Sequence, residues 1–203
     1  MRLFDDAIAP TPRRVRMFLA EKGVEVERVP VTLGRGEHLA PDYRRRVPSA
    51  RVPALELDDG TVISESVAIC GYLEELYPDP NLMGRDAKER AVIAMWQRRM
   101  EFELLLPFAA TFRHTHPKMA ALEQQVPAYA EVQRPQAQAR LATLDADLSR
   151  TAFVAGDRFT IADITAFTTL SFFPRLCGLS LDDGLPHVKR WMAEIATRPS
   201  AAA

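Results

Sequence analysis

Tyr77-Pro78-Asp79-Pro80-Asn81-Leu82-Met83-Gly84 packs two prolines and a closing glycine into eight residues. Proline lacks the N–H that a helix or ladder needs and biases the residue before it toward extended backbone, so no regular element runs through this segment. It divides a chain of 203 residues into two pieces with different periodicity. Before it, short apolar runs alternate with helical patterns; after it, every pattern is helical. We therefore expect an α/β domain over 1–77, a linker over 78–85 and an all-α domain over 86–203.

In the first piece, Arg2-Leu3-Phe4 reads as a strand, followed by a loop through Ala7-Ile8-Ala9-Pro10. Thr11 reads as an N-cap with Pro12 at the first helical position, where its missing N–H costs nothing. Val15, Phe18 and Leu19 recur at helical spacing and Gly23 ends the helix. Val24 to Thr32 alternates like a half-buried strand, which completes a βαβ unit whose strands should be parallel. An arginine-rich connection over Leu33 to Val47, with a short helix near Pro41 to Arg46, leads to a hairpin. Its strands are Pro53 to Leu57 and Thr61 to Ile63, joined through Asp58-Asp59-Gly60. A helix from about Glu65 to Leu76 follows, with Val67, Ile69, Cys70, Leu73 and Leu76 toward the core.

Past the linker, a long helix is expected from Asp86 to about Phe112, with Val92, Met95, Trp96, Arg99 and Leu106 along one side and a kink at Pro107. Further helices are expected from near Val126 to Leu148 (with a kink at Pro135), from Thr160 to about Leu176, and from Pro186 to Thr197. Thr160-Ile161-Ala162-Asp163 has the Ser/Thr-x-x-acid form of a capping box, a structural role.

The chemistry concentrates at Arg51-Val52-Pro53-Ala54-Leu55 and at Ser64-Glu65-Ser66. A proline entering a strand belongs at the strand's first position or in a turn, and the Val52–Pro53 bond is a candidate for the cis form. The Val52 backbone N–H and C=O are then available to an added extended peptide. The Glu65-Ser66 turn offers unpaired N–H groups at a helix start, a socket for a carboxylate. A strand edge beside such a socket describes a site for a small acidic peptide.

Val52-Pro53-Ala54-Leu55 and Glu65-Ser66-x-Ala68-Ile69 resemble the glutathione-binding signature of the cytosolic glutathione S-transferase family. Phe153-Val154-Ala155-Gly156-Asp157 with Phe159-Thr160-Ile161-Ala162-Asp163-Ile164 resembles the family's C-terminal capping segment. The resemblance implies the glutathione transferase fold, a thioredoxin-like N-terminal domain followed by a helical one, and a detoxifying enzyme. It further implies glutathione as co-substrate, no metal, a small apolar electrophile and a homodimer in which Glu101 and Glu103 approach the partner's ligand. By the same resemblance, Ser66 receives the γ-glutamyl carboxylate and Glu65 the ammonium. His38 and Arg51 hold the glycine carboxylate, and Val52 and Pro53 form the peptide edge.

Activating the thiol is less simply read. A free thiol titrates near 8.5, and a helix N-terminus or a nearby donor lowers it. The family's usual donor is a Tyr, Ser or Cys after the first strand, where this chain has Ala9-Pro10-Thr11-Pro12-Arg13-Arg14. Ala-Pro-Thr-Pro resembles the nu class, in which a threonine there contacts the sulfur; Arg13 replaces the asparagine that follows. Thr11 is thus a helix cap, a sulfur contact, or both. Arg13 and Arg14 oppose the helix macrodipole unless an anion binds there or both side chains turn to water. Arg14-Val15-Arg16, Leu19-Ala20-Glu21-Lys22, Gly36-Glu37-His38 and the stretch from Leu55 to Thr61 resemble an atypical fungal and bacterial type without Tyr, Ser or Cys. That type holds an activating water with a Ser and a His; Ala109 and Arg113 replace them here, leaving Arg113, His114 and Thr111 as donors. Ile8, Phe108, Thr111 and Phe112 are expected to line the electrophile pocket.

A net charge of -1 gives no basis for nucleic acid or an anionic membrane as partner. Two distant cysteines without C-x-x-C, no apolar leader after Met1 and no run of membrane-spanning length lead us to expect a cytoplasmic setting. Transferase chemistry leads. A glutathione-dependent disulfide reductase or peroxidase and a non-catalytic module of the same fold are the alternatives.

Overall fold

Strand β1 (Arg2–Asp5) is the axis of the N-terminal sheet. In the computed structural model, which describes residues 1–181 and 184–203, β1 is followed by α1 (Pro10–Lys22), β2 (Glu27–Pro30), α2 (Pro41–Arg46), β3 (Ala54–Glu56), β4 (Val62–Ser64) and α3 (Ser66–Leu76). The strand order is β2-β1-β3-β4. β1 and β2 pair in parallel across the α1 crossover, with Phe4 opposite Val29. β3 is antiparallel to both neighbours, with Phe4 opposite Ala54 and Ala54 opposite Ser64. This is the expected thioredoxin-like arrangement. β2 is shorter than its alternating pattern suggested; Pro30 sits on this edge strand, where a missing donor is tolerated.

Helix α1 starts two residues earlier than expected. Ala9, not Thr11, is the N-cap. Pro10 supplies a helical φ at the first position, and the first turn closes with Arg13 N–H on Ala9 O at 3.2 Å. Leu3, Val15, Phe18, Leu55, Ile69, Cys70 and Leu73 are fully buried, so α1 and α3 cover one sheet face. Leu76, expected toward the core, is 47% exposed. Phe4, Tyr43, Val47, Val52 and Ala54 form a second apolar cluster. Burial at these positions contributes roughly 25 cal/mol per Å² of apolar surface.

Met1–Asn81 and Pro199–Ala203 form one unit, and Leu82–Arg198 the other. The last residues, expected in the helical domain, belong with the first. Ser200 Oγ donates to the Glu21 carboxylate, and Arg13 Nη2 and Nε donate to Ala201 O and Ala203 O at 2.7 and 3.2 Å. Lys22 ties the end of α1 to α3, with its ammonium 2.6 Å from Glu74 and on Pro80 O at 2.7 Å.

The second unit contains α4 (Ala87–Arg99), α5 (Leu106–Thr115), α6 (Pro127–Leu148), α7 (Ile161–Leu176) and α8 (Pro186–Ala196). Between α4 and α5, Met100–Leu105 is a π-helical turn. Leu106 N–H reaches back five residues to Glu101 O. The wider turn takes the place of the simple kink expected at Pro107, because it shifts the ladder just where the proline has no donor. The buried stripe is Ile93, Gln97, Met100, Leu104 and Phe108, while Met95 and Leu106 are 42% and 51% exposed. On the expected side Met95 and Leu106 therefore face outward, while Val92, Trp96 and Arg99 are half-buried. α7 is buried along most of its length.

Candidate functional site

The register sets the site's location. Because Phe4, Ala54 and Ser64 are neighbours across three strands, four segments leave the sheet at the same end. They are the loop after β1, the connection after β2, Arg51-Val52-Pro53 before β3, and Glu65-Ser66 after β4. The candidate residues of the N-terminal unit lie on these segments or, for Thr11 and Arg13, in the first turn of α1 that follows the first of them.

The loop after β1 is held from inside. Asp6 Oδ1 accepts Ile8 N–H and Ala9 N–H at 2.9 and 2.8 Å, and its Oδ2 accepts Leu33 N–H at 2.9 Å. Arg16, buried, donates to the Asp5 carboxylate at 2.6 Å and to Asp6 O and Ala7 O at 2.9 and 3.1 Å. Burial pushes the Asp5 carboxyl upward, and Arg16 partly offsets this. Pro10 and Pro12 have no N–H, and Arg13 N–H is spent on Ala9 O. Among the described residues, Thr11 keeps the open donors of this helix start, its N–H and its hydroxyl. Ile8 beside it is 76% exposed.

The Val52–Pro53 bond is cis. The β3 pairings begin at Ala54, so the Val52 backbone lies outside the ladder. Tyr43 Oη donates to Arg51 O at 2.7 Å and fixes this entry; burial pushes the Tyr43 hydroxyl up to about 12. Arg51 is exposed. His38 has a buried Nδ1 without a hydrogen-bond partner among the described residues. Burial holds its imidazole below the ordinary value, Arg44 and Arg51 add to that, and Asp6 opposes. A ligand carboxylate here would supply the missing acceptor and counter-charge.

Glu65, the N-cap of α3, has φ +70 and ψ 114 and makes no side-chain cap. A non-glycine residue held there signals a constrained position. The N–H groups of Ser66, Val67 and Ala68 find no acceptor among the described residues; the ladder begins with Ile69 N–H on Glu65 O at 3.0 Å. Arg14, 1% exposed, donates through Nη1 to Ser66 Oγ at 2.8 Å. Of the two arginines expected either to meet an anion or to turn to water, Arg14 is therefore buried against Ser66. Burial lowers the Arg13 guanidinium, whose donors reach the C-terminal carbonyls instead.

The candidates in the helical unit are occupied by local structure. His114 Nδ1 accepts Val126 N–H at 3.1 Å, and its ring lies edge-on to Tyr129. Arg113 Nε is 3.5 Å from Glu123. Phe108 is fully buried and stacked on Phe173. Thr111, also fully buried, donates its hydroxyl to Pro107 O at 2.9 Å. Neither side chain offers accessible surface for pocket lining; Phe112 is half-buried against Phe172, Phe173 and His116. No cluster of three or more potential metal ligands occurs among the described residues, and no helix among them is long and apolar enough to cross a membrane.

Sequence reading missed Asp6, Arg16 and Tyr43, and it singled out Arg14 without its partner Ser66. Asp6, in a loop two and three residues before the amides it caps, had a local signal in its Asx-type spacing. The partners of Arg14 and Tyr43 come from elsewhere in the fold and left none.

Models of the glutathione S-transferase N-terminal domain and C-terminal domain match residues 9–76 and 100–199. The chain is 36% identical to glutathione S-transferase 2 of Saccharomyces cerevisiae, over 98% of this chain and 87% of that protein. Among solved structures, it is similar to a glutathione S-transferase domain-containing protein from Marinobacter aquaeolei, with 41% identity, TM-score 0.92 and coverage of 98% and 99% of the two chains. It is likewise similar to Gtt2 from Saccharomyces cerevisiae, with 35% identity, TM-score 0.93 and coverage of 100% and 99%. The chain belongs to the glutathione S-transferase family.

Proposed function

We propose that the chain binds glutathione at the end of the N-terminal sheet and transfers its thiolate to a small apolar electrophile. The observation that carries this reading is the open start of α3, where three N–H groups without acceptors among the described residues lie beside a glutamate at positive φ. The γ-glutamyl carboxylate takes the Ser66 hydroxyl and these amides, and the ammonium takes Glu65. The cysteinyl backbone pairs with Val52 beside Pro53, and the glycine carboxylate meets His38 and Arg51. The sulfur then lies at the start of α1, where Thr11 donates. Stabilising the thiolate is the protein's main chemical contribution, because that form attacks. The thiol proton passes to solvent, and the sulfur forms the new bond to the electrophilic carbon as that carbon's bond to a leaving group breaks and the group departs with the bonding pair.

We assign the chain to the atypical type without a Tyr, Ser or Cys donor, with a nu-like Thr11; the loop from Ala7 to Pro12 contains none of the three. Ile8, on the same loop as Thr11, suits an apolar electrophile. Our reading includes a homodimer in a cytoplasmic setting. Exposed Met95, Phe102 and Leu106, at helical spacing, supply a face for the second copy.

The test is calorimetric titration across pH with glutathione and with S-methylglutathione. The difference in proton release between them isolates the thiol from any uptake at His38. Release near neutral pH with glutathione alone is expected, followed by conjugate formation. No binding at millimolar glutathione overturns the reading; binding without release, with turnover of mixed disulfides, replaces transferase by reductase.

A further inference from the structure

We infer that Arg14 is a positioning residue for the acidic end of the ligand, acting through Ser66. The inference rests on the proposed glutathione site and adds a residue that does not itself touch the ligand. Arg14 stands on α1 and Ser66 opens α3, 52 positions apart in sequence. The guanidinium is 1% exposed and Ser66 6% exposed, so water does not compete for the 2.8 Å contact.

A serine hydroxyl has one proton and two lone pairs. Nη1–H occupies a lone pair, so the hydroxyl accepts on the Arg14 side and its proton is left for an acceptor elsewhere. Ser66 is the first residue of a helix whose leading amides are open, so an anion there receives hydroxyl and amide donors together. The buried cation behind them adds attraction that salt screens poorly. The arrangement selects a ligand that ends in a carboxylate at Ser66.

A double-mutant cycle tests it, using Arg14→Lys, Arg14→Gln, Ser66→Ala and the doubles, with glutathione affinity by calorimetry and melting of each protein. We expect Ser66→Ala and Arg14→Lys each to weaken glutathione about tenfold, and the double to be no weaker than about the worse single. Arg14→Gln, which keeps a donor without the charge, separates the hydrogen bond from the field. Additive losses, or an Arg14→Lys protein with parental affinity, overturn the inference. Parental affinity in Ser66→Ala overturns the site reading instead. If the Arg14 variants do not fold, the Arg14 side-chain ¹⁵N–¹H signals decide on folded protein. They should move with glutathione in the parent and stay fixed in Ser66→Ala; the same shift in both proteins overturns the inference.

Discussion

Helices α7 and α3 both begin immediately after an extended stretch, yet they treat their leading amides in opposite ways. At α7, Ile161 N–H reaches Leu82 O at 3.1 Å and Ala162 N–H reaches Thr160 Oγ at 3.3 Å. Asp163 and Ile164 N–H fall on Thr160 O at 3.1 and 3.3 Å. Asp163 answers with both oxygens, accepting Thr160 N–H, Thr160 Oγ–H, Val154 N–H and Trp191 Nε1–H. At α3, Ser66, Val67 and Ala68 N–H have no acceptor among the described residues, Ile69 N–H alone returns to the cap carbonyl of Glu65, and that cap residue is bent to positive φ. A helix start closed by its own chain stabilises the fold, whereas one left open stabilises something bound.

The largest test of this contrast is Asp163→Ala. It strands buried donors, Trp191 Nε1–H among them, and should cost about 4 kcal/mol. We expect a melting temperature lower by about 10 °C with unchanged glutathione affinity in the folded protein; parental melting breaks the comparison. The next effect is its pH dependence. Burial raises the Asp163 carboxyl to about 6 although four donors pull it down. A folded value above the unfolded one means that this group's contribution is complete below about 4 and is lost as pH rises through about 6, by roughly 3 kcal/mol. The stability gap between parent and Asp163→Ala should therefore widen on acidification from pH 7 to pH 4.5. Denaturant titrations at both pH values check it, and a constant gap refutes it.

At α3 the expectations reverse. Glu65→Gly relieves the positive φ and should leave stability equal or higher by about 1 kcal/mol, while glutathione affinity falls about tenfold through loss of the ammonium contact. A melting loss like that of Asp163→Ala would make both helix starts structural. Smallest is Thr11→Val, which removes the hydroxyl and keeps the N–H. The bound thiol should titrate higher, by about half a unit, read from thiolate absorbance against pH.

What the sequence disclosed follows the range of the interaction. The Thr160–Asp163 box and the βαβ order with its hairpin were legible, since partners lie within a few residues or pattern dictates them. Thr11 was misplaced as a cap because Pro10 already has a helical φ, which moves the start upstream. The Pro107 kink became a π turn because a preceding helix can change its ladder to suit a proline. Arg13 and Arg14 were ambiguous as text: their partners lie 188 and 52 positions away, at distances only the folded chain closes. His114 and Arg113 kept their donors and acceptors for Val126 and Glu123, neighbours that no motif specified.

The paired prolines of α1 have a spectroscopic consequence. Pro10 and Pro12 contribute no amide resonance, and the next amide, Arg13, is hydrogen-bonded. In a ¹⁵N-labelled protein the start of α1 therefore reports through Thr11, whose amide has no acceptor among the described residues. Its hydrogen exchange should be fast in the free chain and slow once a sulfur anion occupies the donor, which makes a single peak a gauge of occupancy at the reacting atom.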